Sequence, residues 1–162
     1  MQTELSTLKR ILEKNSAIEY QVNSLFQLTI DPQPEDFELL VKEVSFSPYE
    51  LECESYVFGD RTVSVPSKRA STDFTVTFAD TSNATAYNYF QEWYEQIYQN
   101  GLLNPMNSYL RSITLQAFDQ MMLPTGMKKE FRGFPKSVSD YNFSVSSTEV
   151  IEFSVTFSKG LS

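Results

Sequence analysis

Thr72-Asp-Phe-Thr-Val-Thr-Phe78, with the Asp80-Thr-Ser-Asn83 and Ala84–Asn100 that follow it, decides the fold. Phe74, Val76 and Phe78 alternate with Asp73, Thr75 and Thr77, which is the two-residue period of a half-buried strand. The period then lengthens. Ala86, Phe90, Trp93 and Ile97 recur at helical spacing, and Tyr87, Tyr94 and Tyr98 widen that stripe. Asp80-Thr-Ser-Asn83 supplies capping residues between the two elements, and Gly101 is a natural stop. An amphipathic strand therefore runs straight into an aromatic helix.

The same alternation returns at Val150–Phe157. Ile151, Phe153, Val155 and Phe157 face one way; Glu152, Ser154, Thr156 and Ser158 face the other. Further strands are expected at Val22–Ile30 (before Asp31-Pro-Gln-Pro34), Phe37–Phe46, Tyr109–Met122 and Lys128–Phe134. Leu123-Pro-Thr-Gly126 reads as a turn, and Pro135 as a strand end. Tyr49–Ala70 reads as a long polar hairpin turning at Gly59-Asp-Arg61, with little apolar surface of its own. At the start, Leu5, Leu8, Ile11 and Leu12 share one face of a short helix over Glu4–Lys14. The expected fold is α+β: mainly antiparallel, a β-sandwich or half-barrel with one flanking helix, a long hairpin and an N-terminal helical arm. No repeat or linker divides the chain, so one domain is expected over 1–162, with the arm at 1–16 and the hairpin at 49–70.

Composition narrows the function. The 162 residues carry a net charge of −8. That argues against tight nucleic-acid binding, which needs Lys and Arg to neutralise phosphates. It is compatible with enclosing DNA that must slide. The sequence has no histidine, which excludes Ser-His-Asp and Cys-His catalysis and histidine-containing zinc sites. Cys53 is the single cysteine, so no intrachain disulfide forms and a reducing cytoplasm is the expected compartment. Cys53 itself reads as a small half-buried residue, because no histidine is there to activate a thiolate. The polar Met1–Lys14 has no h-region of a secretory signal, and no stretch approaches the length of a membrane span. The expectation is a chain without catalytic activity, cofactor, metal or membrane insertion.

Three features remain. Asp73, Thr75, Thr77, Glu152, Ser154 and Thr156 form a hydroxyl-rich face that Ser144 and Ser146 extend, with no cation on it. Alone, this is the ordinary solvent face of an antiparallel sheet. Glu50, Glu52 and Glu54 share one face of the hairpin. They read as a charged, protected edge, or as partners for Lys68 and Arg69 within the hairpin or on a neighbouring copy; a metal site ranks last. Phe90 and Trp93 read as core, while Tyr87, Tyr94 and Tyr98 divide between core and interface.

The order of these parts resembles the tail tube proteins of T4-like contractile bacteriophages. The residues that carry the resemblance are Ser24-Leu-Phe-Gln-Leu-Thr-Ile30, the Thr72–Phe78 strand leading to Phe90-Gln-Glu-Trp93, and Phe131-Arg-Gly-Phe-Pro135 followed by Glu152-Phe-Ser-Val-Thr-Phe157. The resemblance spans almost the whole chain. The early Gly59-Asp-Arg61 and the extended Leu102–Tyr109 depart from the pattern. The resemblance implies hexameric rings stacked into a tube, whose lumen passes double-stranded DNA without specific binding. It implies tail sheath, tube initiator and tail terminator proteins as partners, and a place in the virion tail, assembled in the bacterial cytoplasm. Asp73, Thr75, Thr77, Glu152, Ser154 and Thr156 would line the lumen. Glu50, Glu52, Glu54, Arg61, Lys68 and Arg69 of the hairpin, with Leu5, Leu8 and Leu12 of the arm, would make contacts between subunits or rings. Related readings are a baseplate tube-initiator ring and the inner tube of a type VI secretion system or tailocin. The reading from another class is a monomeric β-rich ligand-binding module.

Overall fold

The computed structural model describes residues 2–17, 24–70 and 72–160. In chain order the elements are α1 (Gln2–Ser16), β1 (Phe26–Asp31), a 3-10 turn (Phe37–Leu40), β2 (Val41–Phe46), β3 (Glu50–Phe58), β4 (Arg61–Ala70) and β5 (Phe74–Ala79). There follow α2 (Thr85–Ile97), β6 (Tyr98–Gln99), β7 (Leu102–Leu103), α3 (Met106–Tyr109), β8 (Arg111–Phe118), β9 (Pro124–Val138) and β10 (Glu152–Lys159). The main sheet has six strands in the order β1-β8-β9-β10-β5-β2. It is mostly antiparallel and does not close into a barrel, so the α+β expectation takes the form of one open sheet. β1 and β2 are its edge strands.

The chain divides into two compact units, Met1–Gln27 with Leu115–Lys129, and Leu28–Thr114 with Glu130–Ser162. The larger unit holds most of the core. β5 and β10 pair antiparallel, with Phe78 opposite Phe153, Val76 opposite Val155 and Phe74 opposite Phe157. All six of these side chains are buried, as the alternation requires. α2 lies against them through Ala86, Tyr89, Phe90 and Trp93. Phe90 meets Phe78 edge-on at 5.2 Å, and Trp93 meets Phe157 at 5.9 Å between ring centroids. Each such fully buried side chain stabilises the fold by about 2 kcal/mol. Arg111 closes this layer from outside, its guanidinium 4.6 Å from the Trp93 ring and 5.0 Å from that of Tyr89.

Several boundaries differ from the expectation. The Phe37–Phe46 run is not one strand: Asp36 has φ 59°, and the chain turns once to bury Phe37 before β2 begins. α2 ends at Ile97, short of Gly101. Asn100 and Gly101, both with positive φ, instead form the two-residue turn joining β6 to β7. The turn after β8 lies at Asp119–Leu123, ahead of Pro124-Thr-Gly126, which belong to β9. There the Asp119 carboxylate accepts from the amides of Met121 and Leu123, at 2.9 Å each. Finally, β9 runs through Pro135 to Val138. Pro135 has no amide hydrogen to give, and the ladder to β10 shifts register beside it, which is where a strand tolerates proline. The expected first strand begins at Phe26; Val22 lies outside the described residues.

Candidate functional site

Asp80 builds the junction between β5 and α2. Its carboxylate accepts from the backbone amides of Thr81 (2.8 Å), Ala86 (3.0 Å) and Tyr87 (3.3 Å). It therefore satisfies donors that the first turn of α2 leaves open and places a negative charge at the positive end of the helix. Tyr141 donates its hydroxyl to the same carboxylate, while its ring lies 4.9 Å from that of Phe153. Burial, then the bond to Asp80, push the Tyr141 pKa above the ordinary tyrosine value. Asp80 thus holds strand, helix and the 139–151 segment together. The sequence identifies its capping role but gives no sign of Tyr141.

The hydroxyl face forms on the side of β5 and β10 opposite α2. Thr75 and Thr156 bring their hydroxyl oxygens to 3.5 Å, and Thr77 and Ser154 to 3.2 Å, as cross-strand pairs. On β2, Ser45 stands opposite Thr75 and Glu43 opposite Thr77; on β9, Ser137 stands opposite Thr156. Asp73 immediately precedes β5, and Glu152 begins β10 opposite Ala79. These two carboxylates therefore bracket the hydroxyl pairs at opposite ends, roughly 20 Å apart along the strands. Two expectations need correction. The face does carry a cation, since Lys136 Nζ lies 3.7 Å from Asp73 Oδ1. Ser144 and Ser146 do not extend the face; they bond each other at 2.9 Å in the coil before β10.

The hairpin of β3 and β4 is exposed along its whole length, from Glu50 to Arg69. Glu52 pairs with Lys68 in register, and Lys68 Nζ reaches Glu52 Oε2 at 3.2 Å, so this charge pair is internal. Glu50 stands opposite Ala70, Arg69 opposite Leu51 and Arg61 opposite Phe58. Among the described residues, no three of Cys, Asp and Glu gather closely enough to hold a metal ion. Cys53 is exposed, not half-buried, because both faces of the hairpin meet solvent. The expectation of little apolar surface also fails. Tyr56, Phe58, Val63 and Val65 share one face of the outer half, where Tyr56 stands opposite Val63 and Glu54 opposite Val65. Alternating polar residues masked this patch in the sequence. Only cross-strand register places the four together.

Two further surfaces are apolar. On α1, Leu5, Leu8, Ile11 and Leu12 are between 47% and 68% exposed. Beside α2, a groove of about 540 Å³ runs between the helix and the 135–141 segment. Tyr87, Phe90, Tyr94 and Ile97 form one wall, and Val138 and Tyr141 lie on the other. Tyr87, Tyr94 and Tyr98 are exposed, while Tyr89, which the helical stripe omitted, is buried and donates its hydroxyl to the Pro32 carbonyl at 2.7 Å. No helix among the described residues is long and apolar enough to cross a membrane.

No family model and no curated protein matches the sequence. Solved structures with the same fold do exist. One is a chain of the anti-feeding prophage cap, described as the tube-terminating cap, at 16% identity and TM-score 0.65, covering 88% of this chain and 89% of that one. Another is a chain of the sheath/tube terminator of an extracellular contractile injection system, PVC, in its extended state, at 18% identity and TM-score 0.67, covering 90% and 96%. A third is a chain of the PVC sheath–tube complex in the extended state, at 15% identity and TM-score 0.66, covering 92% and 93%. The chain therefore has the fold of chains found in contractile injection particles.

Proposed function

We propose that this chain is a non-catalytic structural subunit of the tube assembly of a contractile particle, either a phage tail or an injection system. The observation that carries the proposal is the open six-stranded sheet, with a hydroxyl-rich face and an edge strand on each side. A lone sheet with two edges invites pairing with other chains, and a heterologous pairing that repeats around an axis closes into a ring. Six copies would form each ring, and rings would stack. Thr75, Thr77, Ser154 and Thr156, bracketed by Asp73 and Glu152, would line a lumen that passes DNA or another cargo without holding it. In this reading Lys136 is neutralised by Asp73, so it does not trap a phosphate. The exposed hairpin would reach a neighbouring subunit or ring through Tyr56, Phe58, Val63 and Val65, with Arg61 and Arg69 at its margins. Sheath, initiator and terminator proteins would be the outside partners. The particle tail would be the final location, after assembly in the bacterial cytoplasm.

The shared fold supports this reading, and the same likeness favours a second one. Two of the structures named above are described as terminators, so the chain would instead cap the tube as a single ring. Removing the chain from the bacterium that builds the particle separates the two. A tube subunit predicts sheaths without an inner tube; a terminator predicts tubes of uncontrolled length. Normal particles would contradict both.

A further inference from the structure

We propose that α1 of one copy docks in the α2 groove of a second copy. The idea rests on the assembly reading above but names both contact surfaces. Two apolar surfaces are open to solvent in the single chain: the Leu5, Leu8, Ile11 and Leu12 stripe, and the groove lined by exposed Tyr87 and Tyr94 and half-buried Ile97 beside the buried Phe90. Leu5, Leu8 and Leu12 stand at i, i+3 and i+7, the anchor spacing by which an amphipathic helix fills a groove. Their span along α1 is about 10 Å, and Tyr87 to Ile97 offers about 15 Å along α2.

The charges also match. Of the two charged residues lining the groove, Lys136 has its ammonium paired with Asp73 at 3.7 Å, which leaves Asp140 as the charge open to a partner. On α1, Glu4 and Lys9 lie closest to the apolar stripe by helical position. More broadly, α1 carries three cations (Lys9, Arg10, Lys14) and two anions (Glu4, Glu13), a net +1. Against −8 for the whole chain, the remaining residues carry −9, so the arm and the rest of the chain differ in the sign of their net charge. An isolated helix of this length is marginal in water, and an apolar face covered by another copy would stabilise it.

Disulfide trapping tests the contact in the full-length chain with Cys53→Ser. One preparation carries Leu8→Cys and another Tyr94→Cys; both positions are exposed, so folding is undisturbed. A control pair combines Leu8→Cys with Ser45→Cys on the hydroxyl face. On mixing and oxidation, the Leu8–Tyr94 heterodimer should form about tenfold faster than the control. Equal rates would overturn the proposal. So would a chain carrying both cysteines that links only within itself at every concentration. Rings seen by microscopy without this link would sink the docking and leave the tube reading standing. The link without rings, both alone and with a tail-tip complex added as nucleus, would support the docking and sink the tube reading.

Discussion

Gly133 occupies a point in β9 where a side chain has no room. A Cβ there would fall 2.5 Å from the Ser158 carbonyl oxygen and 3.0 Å from the Phe131 ring. Gly133→Ala must push the β9–β10 ladder apart, and should lower stability by about 1–3 kcal/mol in a denaturant titration. A midpoint equal to the parent's would show that this stretch yields easily. Tyr141 gives a pH-dependent counterpart. Its pKa is raised in the fold from 10.0, by burial and by the bond to Asp80. The folded state therefore holds the proton more tightly than the unfolded chain. The contribution is complete below pH 10 and is lost as pH rises above it. Tyr141→Phe should be less stable at neutral pH, with a shallower decline above pH 10; an unchanged alkaline slope would contradict the assigned cause. On the hydroxyl face, Glu152→Lys, or Asp73→Lys beside Lys136, should impair delivery through the particle while leaving stability within about 0.5 kcal/mol. Undiminished delivery by both variants would refute the lumen assignment. At this scale the sequence displays the alternation of Phe74, Val76 and Phe78, because burial and the period of two coincide. It hides Tyr141, Lys136 and Arg111, whose partners are distant in the chain.

Among the elements, β5, α2 and β10 are legible because each repeats one period for several turns or residues. The 3-10 turn at Phe37–Leu40 is not, since a buried phenylalanine after Asp36 reads equally well as a strand start. The β8–β9 turn is displaced for a similar reason. Asp119 organises it through its side chain, while Pro124 and Gly126 draw attention a few residues too late. The β3–β4 hairpin is legible as a hairpin but not as an apolar surface, because Tyr56 and Val63 become neighbours only through register. Two isolated strands are at best marginally stable in water, so the proposed assembly, by covering this hairpin, would stabilise it. Deleting residues 50–68 should leave a folded protein, with Trp93 still buried by its fluorescence, that no longer assembles. Normal assembly by the deletion would remove the hairpin from the interface.

For the whole molecule, the acidic balance argues against tight nucleic-acid binding, and the missing histidines against histidine-based catalysis, before any fold is known. The open sheet then gives the composition a geometry. Its hydroxyl face and two edges make sense on a repeating assembly, and the fold it shares with chains of contractile injection particles supports the same reading. Nothing in one subunit's sequence specifies six copies, because ring number depends on the angle between neighbours. The most direct test is negative-stain electron microscopy of the purified full-length protein at high concentration, alone and with a candidate tail-tip complex added as nucleus. The account predicts rings or tubes with a central hole, alone or growing from the nucleus. A uniformly monomeric sample under both conditions would contradict it and turn attention to the α2 groove as the ligand site of a monomeric module.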